Sequence, residues 1–218
     1  MNKGRVFIVS GPSSSGKDTV LKLLFERMPD IQFSISSITR NMRESEVEGE
    51  KYNFVTREKF EQMLKDDELL EHNVYLGNYY GTPKTPVINC VEKGRDVIIE
   101  VDVNGAAQIR TKLPETLSVF ILPPSLEILK KRLYGRGTDS ADVVEERLKE
   151  ALGEISRAVE YDYIVVNDDL KTAVDELVTI DKFRLESTAA LPDNVRFEEF
   201  VVPPLPYDDE SFDCVVSF

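Results

Sequence analysis

Several scarcities bound what this chain can be. Its 218 residues include no tryptophan, one histidine (His72) and two cysteines, Cys90 and Cys214. A lone histidine leaves no material for a serine–histidine triad or a multi-histidine metal site. The two cysteines lie far apart and neither belongs to a CxxC pair, so they read as reduced thiols rather than a disulfide staple. Long hydrophobic runs are missing as well. The longest, such as VFIV and VFIL, are strand-length and far short of the ~20 apolar residues that cross a bilayer. The N-terminal stretch is a short apolar run followed by a glycine loop, not a secretion signal, so a cytoplasmic protein without membrane association is expected. Positive charge is the last scarcity: 27 Lys and Arg stand against 40 Asp and Glu, for a net of −13. That balance lacks the basic footprint of a nucleic-acid binder. Small anions stay allowed, because a local cluster of cations can oppose the global sign. Chemistry is left to Lys, Arg, carboxylates, hydroxyls and backbone amides.

What is present suits one mid-sized globular domain. Apolar residues make up 41% of the chain, enough to build a core without a disulfide or metal. Buried strands are predicted at Arg5–Ser10 (RVFIVS), Val97–Val101 (VIIEV), Leu117–Leu122 (LSVFIL) and Tyr163–Asn167 (YIVVN). Helices follow them, from about Lys17 to Arg27, Asn104 to Lys112, Ser125 to Leu133 and Leu170 to Leu185. Short continuous apolar strands alternating with helices imply a doubly wound α/β fold, a parallel sheet covered on both faces.

Two segments interrupt this rhythm. The polar stretch from about residue 35 to 82, with one helix near Arg57–Lys65, reads as a small α+β insertion. The glycine-flanked GRGTDSAD stretch, with the helix start beyond it (135–147), has the composition of a lid. After residue 186 the composition changes. The last 32 residues hold four of the eleven prolines and carry a net charge of −6, with interspersed aromatics. They read as an appendage (187–218) that docks on the domain (1–186) or on a neighbouring subunit. The oligomeric state stays open between monomer and homodimer.

The strongest local signal is Gly11-Pro12-Ser13-Ser14-Ser15-Gly16-Lys17-Asp18-Thr19, a GxxxxGK match placed between a predicted strand and a predicted helix. Backbone N–H groups of such a loop wrap an anion, the helix N-terminus adds partial positive charge, and Lys17 supplies a mobile ammonium. The residue after the lysine is ordinarily a hydroxyl that ligates Mg²⁺, and here it is Asp18. Two alternatives stay open: Asp18 holds the metal through a water, or it points away and substrate oxygens and waters take that role. A second cluster joins Ser36, Arg40 and Arg43 with Tyr52 and the NYYGT run from Asn78 to Thr82. Two arginines among hydroxyls suit bidentate recognition of a phosphate monoester. Glu71 could accept two parallel N–H bonds, the pair that guanine offers at N1 and its exocyclic amine. Adenine, with an unprotonated N1, cannot offer that pair. Glu100 and Asp102 close a predicted strand at its carboxyl end, where ligands of open α/β sheets gather. Arg132, Arg136 and Arg147 flank the lid and could close on a transferring phosphoryl group.

Taken together, these residues resemble the guanylate kinase family. The matching stretches are GPSSSGK (11–17), SSITR with Arg43, YNFV (52–55), LLEH (69–72), GNYYGT (77–82), VIIEVDVNGA (97–106), FILPPS (120–125), GRGTDS (135–140) and YDYIVVNDDL (161–170). They run in the family's order from about residue 4 to 186. The resemblance implies a P-loop kinase fold and transfer of a phosphoryl group from Mg²⁺-ATP to GMP, with dGMP as a further acceptor. It assigns the ATP phosphates to residues 11–19, with Arg132 and Arg136 over them and Asn167 by the adenine. Ser36, Arg40, Arg43, Tyr52 and Tyr80 would hold the GMP phosphate, while Glu71, Thr82 and Asp102 would read the base. Lys17, Arg40, Arg136 and Arg147 would act on the reacting phosphates. Mg²⁺ would be held mainly by waters and nucleotide phosphates, with Asp18, Glu100 and Asp102 as candidate carboxylates.

The chain departs from the family's pattern at several positions. Ser14 replaces a glycine, Asp18 a small residue, and ITRNMRESE loses a proline and a glycine. Glu100 stands where the family often has the shorter Asp. Two rival readings follow. A kinase of the same fold acting on ribose 1,5-bisphosphate has a GKD-type loop like Asp18-Thr19. A catalytically silent binding module would keep the fold, but such modules typically lose the loop or lid cations that are present here.

Overall fold

The structure, a computed structural model, describes residues 3–135 and 141–186. Residues 136–140 of the GRGTDS stretch, Arg136 among them, and the 187–218 appendage therefore lie outside the described residues. Residues up to Thr179 form one compact unit, and residues 180–218 fall in a second, of which the helical backbone to Glu186 is described.

Five strands form the main sheet: β1 (Val6–Ser10), β2 (Gln32–Phe33), β7 (Val97–Glu100), β8 (Leu117–Leu122) and β9 (Tyr163–Val166). They lie in the order β2-β7-β1-β8-β9 and every pairing is parallel. Central β1 is buried along its whole length, which is why it reads as an unbroken apolar run. Ile8, Ile99 and Phe120 are fully enclosed and anchor the core. Helices α1 (Lys17–Arg27), α4 (Val103–Lys112), α5 (Leu126–Tyr134) and α6 (Ala141–Ile155) connect the strands, and α7 (Leu170–Glu186) follows the last of them. Two of them carry local start signals. Asp102 caps α4 by accepting from the Asn104 and Gly105 amides, and Ser125 caps α5 by accepting from Ile128.

A second sheet of four strands, β4-β3-β6-β5, occupies the polar stretch. It comprises β3 (Ser36–Ile38), β4 (Tyr52–Phe54), β5 (Leu69–Tyr75) and β6 (Asn78–Pro83), with α2 (Arg57–Lys65) packed through Phe60 and Met63. Strands β5 and β6 form a hairpin whose turn residues, Leu76 and Gly77, both have positive φ. Two elements escape the sequence reading. Strand β2 is two residues long, too short to show a period. Helix α3 (Lys84–Glu92) has Pro86 in its first turn and valine and isoleucine within it, a mixture that masks a helix.

This topology positions the site. The chain leaves β1 toward one side of the sheet and β8 extends it on the other, so the loop after β1 sits at the switch point of strand order. Glu100 ends β7 beside it, and Asp102 follows two residues on as the cap of α4.

Candidate active site

The loop between β1 and α1 has the backbone of an anion cradle. Gly11, Ser14 and Gly16 have φ values of 151°, 66° and 94°, and Gly16 caps α1. Gly16 is required twice over. It is left-handed, and a Cβ there would sit 2.3 Å from the Asn167 side-chain nitrogen. Asn167 Nδ2 donates to the Ser15 carbonyl at 2.8 Å, and Arg132 donates to the same oxygen at 3.1 Å. These two side chains brace the loop from behind. Lys17 Nζ lies across the front, donating to the Gly11 and Pro12 carbonyls at 2.6 and 3.2 Å. Burial lowers its pKa, opposed by the nearby Glu100, Glu154 and Asp18. Ser14, Gly16, Lys17, Asp18, Thr19 and Arg132 line an open pocket of about 200 Å³.

Ser14 bears a left-handed conformation that glycine would take without strain. A left-handed non-glycine residue costs about 1 kcal/mol, and the Ser14 hydroxyl is buried without a hydrogen-bond partner. Ser14→Gly is expected to raise the melting temperature by about 2–4 °C. The extra freedom of glycine in the unfolded chain keeps the gain small. A calorimetric scan that finds a lower melting temperature would contradict this account.

The insertion places the expected base-reading carboxylate in a closed environment. Glu71 on β5 pairs across the hairpin with Thr82 on β6, whose hydroxyl donates to its Oε1 at 2.7 Å. Only 5% of Glu71 is exposed, and a Cβ on Gly105 of α4 would come within 2.9 Å of its Oε2. Burial pushes the Glu71 pKa up to about 7; the Thr82 hydroxyl pulls against it, and the Asp102 charge adds to the rise. Asp102 caps α4 through one oxygen and accepts from Asn73 Nδ2 through the other, at 2.6 Å. Glu71, Thr82 and Asp102 are thus one cluster, shared by the insertion and the core.

The expected phosphate cations lie on the neighbouring border. Arg40 spreads over the rings of Tyr52 and Phe54 and is engaged by both oxygens of Glu46, at 2.6 and 2.5 Å. The Arg43 amide donates to the same carboxylate at 2.8 Å. The Arg40 guanidinium and the Arg43 amide hold the Glu46 pKa down to about 2. A carboxylate therefore occupies the bidentate face of Arg40. Tyr80 also bonds Arg40, Ser36 sits opposite Tyr52 in the sheet register, and the Arg43 side chain is exposed. Arg147 lies half-buried on α6.

Two charged groups at the loop were not legible from the sequence. Lys51, just before β4, reaches Asp18 Oδ1 at 2.5 Å and Glu100 Oε2 at 3.0 Å. Burial opposes its charge, yet Glu100 and Asp18 outweigh burial and raise its pKa. Glu154, on α6, comes close to Lys17 and accepts from the Ser13 amide; burial pushes its pKa up to about 7. Lys17 and Lys51 thus face Asp18, Glu100 and Glu154 across the loop. No group of three or more metal-ligating side chains occurs among the described residues. Two carboxylates converging on one cation suit Mg²⁺ all the same, since it keeps several waters and takes most other ligands from phosphates.

Comparison with known proteins identifies the family. The family model described as guanylate kinase matches residues 3–182. The chain belongs to the guanylate kinase family. A guanylate kinase of Oceanobacillus iheyensis is 50% identical over 180 residues, covering 83% of this chain and 87% of the relative. One from Carboxydothermus hydrogenoformans is 46% identical over 83% of this chain and 88% of its own length. Among solved structures, guanylate kinase from Anaplasma phagocytophilum aligns with a TM-score of 0.71 and 32% identity, over 86% of this chain and 89% of that one. The P-loop kinase fold expected from the sequence is therefore the fold of this guanylate kinase family member. Among the described residues, no helix is long and apolar enough to cross a membrane.

Proposed function

We propose that this chain transfers the γ-phosphoryl group of ATP to GMP, releasing ADP and GDP, and that dGMP is accepted as well. The carrying observation is the buried Glu71–Thr82 pair next to Asp102, placed across from a phosphate loop with an intact lysine. Its carboxylate is shaped to accept the N1–H and amino N–H of guanine, and family membership supports the same base.

In the reaction so proposed, the amides of residues 11–19 bind the ATP phosphates. Lys17 exchanges its two carbonyl partners for phosphate oxygens. Arg40 exchanges Glu46 for the GMP phosphate, a like-for-like swap of one bidentate anion for another. An oxygen of the GMP phosphate then bonds to the γ-phosphorus as the bond from that phosphorus to the β–γ bridging oxygen breaks, and ADP leaves with the electron pair. No covalent enzyme intermediate is needed, so alignment and charge neutralisation carry the catalysis. When bound, Mg²⁺ would neutralise phosphate charge, with Glu100 and Asp18 placed to hold its waters. Arg132, Arg136 and Arg147 are proposed to screen the transferring group and exclude water as the lid closes.

The test is ADP formation from Mg²⁺-ATP with GMP, dGMP, AMP, UMP and ribose 1,5-bisphosphate offered separately. Turnover with the two guanine nucleotides alone is the expected result. Turnover with the sugar bisphosphate instead of GMP would overturn the proposal, and GMP binding without turnover would leave a binding module.

A further inference from the structure

Asp18 stands where phosphate loops of this kind carry a hydroxyl or another small residue, and phosphoryl transfer as derived above gives its side chain no direct contact with substrate. Its partner is Lys51. That ammonium is 2.5 Å from Asp18 in the first turn of α1 and 3.0 Å from Glu100 at the end of β7. The Lys51 backbone belongs to the insertion, where its carbonyl accepts the Ser36 amide at 3.3 Å. A single side chain therefore joins the insertion to both the phosphate loop helix and the central sheet. The other border of the insertion is tied differently. There Gln108 of α4 exchanges two hydrogen bonds with the His72 backbone, at 3.1 and 2.9 Å, and Asn73 bonds Asp102. Glu71, Thr82, Arg40 and Tyr52 all belong to the stretch of chain held by these two attachments.

We propose that Asp18 and Lys51 are positioning residues: their ion pair, shared with Glu100, latches the β4 border of the insertion to the phosphate loop and presets the gap in which GMP binds. The assignment of GMP rests on the function proposed above. The latch needs both partners because Lys51 draws its geometry from two carboxylates on different elements. Asp18 directs the ammonium toward α1, and Glu100 directs it toward the sheet. The aspartate after the loop lysine and the lysine before β4 carry opposite charges that meet in the fold.

Long-range charge alone makes the opposite forecast for one of the two residues, which gives a sharp test. Neutralising Lys51 removes a cation near the expected GMP phosphate, and neutralising Asp18 removes an anion. Simple electrostatics then has Lys51→Met weaken GMP, Asp18→Ser tighten it, and the double variant cancel. The latch has both weaken GMP, by about 3- to 10-fold, with the double variant no worse than Lys51→Met, because the two act through one contact. Lys51→Arg is expected to restore most of the affinity. Binding is measured calorimetrically with GMP alone, without ATP or metal. The same variants are compared by hydrogen exchange in the nucleotide-free protein. Exchange of the Tyr52–Phe54 amides is expected to rise about 3- to 10-fold in Lys51→Met and to stay at the wild-type rate in Lys51→Arg. Unchanged exchange in Lys51→Met, or tighter GMP binding in Asp18→Ser, overturns the latch. Should the unaltered protein fail to bind GMP, the guanylate reading falls, and the exchange rates still decide the latch.

Discussion

Glu71→Gln lowers kcat/KM for GMP by about 100-fold or more, while KM for ATP changes little. The size follows from two hydrogen bonds to a buried carboxylate, each about 1.5–3 kcal/mol. Glutamine keeps an oxygen for the Thr82 hydroxyl but turns a donor toward one of guanine's N–H groups, leaving that group unpaired in a dry pocket. Steady-state kinetics with GMP as the varied substrate measures the loss, and an effect below about 5-fold would remove Glu71 from base recognition. The same group imposes a pH dependence. With its pKa near 7, Glu71 is protonated in much of the empty protein below neutrality, and a protonated carboxyl cannot accept both guanine N–H groups. GMP binding is expected to strengthen as pH rises through about 7 and to release a proton near pH 6.5. The phosphate of GMP titrates near 6 by itself, so Glu71→Gln serves as the control that keeps only that part.

Stability moves the other way. A carboxyl whose pKa rises from 4.5 to about 7 on folding binds more protons in the native than in the unfolded state between those values. Its contribution therefore falls as pH climbs from 4.5 to 7, and the full penalty remains above 7. Glu71→Gln carries no such penalty and is expected to be more stable than the unaltered protein at pH 8, by about 1–3 kcal/mol. Thermal melts at pH 5 and pH 8 check this, since the advantage should shrink at the lower pH. A better-folded and poorly active variant is the outcome expected of a carboxylate buried for recognition.

Lys17→Met is the second large effect, a fall in kcat of about 10²–10³ with a smaller change in ATP affinity. Lys17 rests on the carbonyls of Gly11 and Pro12, a position from which a flexible ammonium can turn to phosphate oxygens. Arginine is expected to substitute poorly, because its planar fork does not fit two loop carbonyls on one turn of backbone. Single-turnover measurements separate the chemical step from ATP binding. Unchanged turnover in Lys17→Met would remove the loop lysine from catalysis.

The main sheet is legible in the sequence because its strands are buried on both faces and so appear as unbroken apolar runs. The ends of β8, α1 and α2 coincide with the sequence reading to the residue, and β1, β7 and β9 differ from it by one residue at one end. The phosphate loop was equally plain, since GxxxxGK between a strand and a helix is a local pattern. Glu71 stood out as chemistry but not as a buried group. Its 5% exposure is produced by Thr82 across the hairpin and Gly105 from α4, more than thirty positions along the chain. Lys51, Glu46, Asn73 and Glu154 carried no local signal, because a charge or amide acquires a role only from the partner opposite it. Asn167 likewise braces the Ser15 carbonyl from 152 residues away.

Local order therefore came from the sequence by itself: strand period, helix caps, the glycines of the loop and the family motifs are short-range patterns written along the chain. Pairings across elements came from the tertiary structure alone. Folding brings Asp18, Lys51 and Glu100 within one ammonium's reach and withdraws Glu71 from water. Burial and charge proximity, which set their behaviour, are properties of the packed molecule and not of any segment.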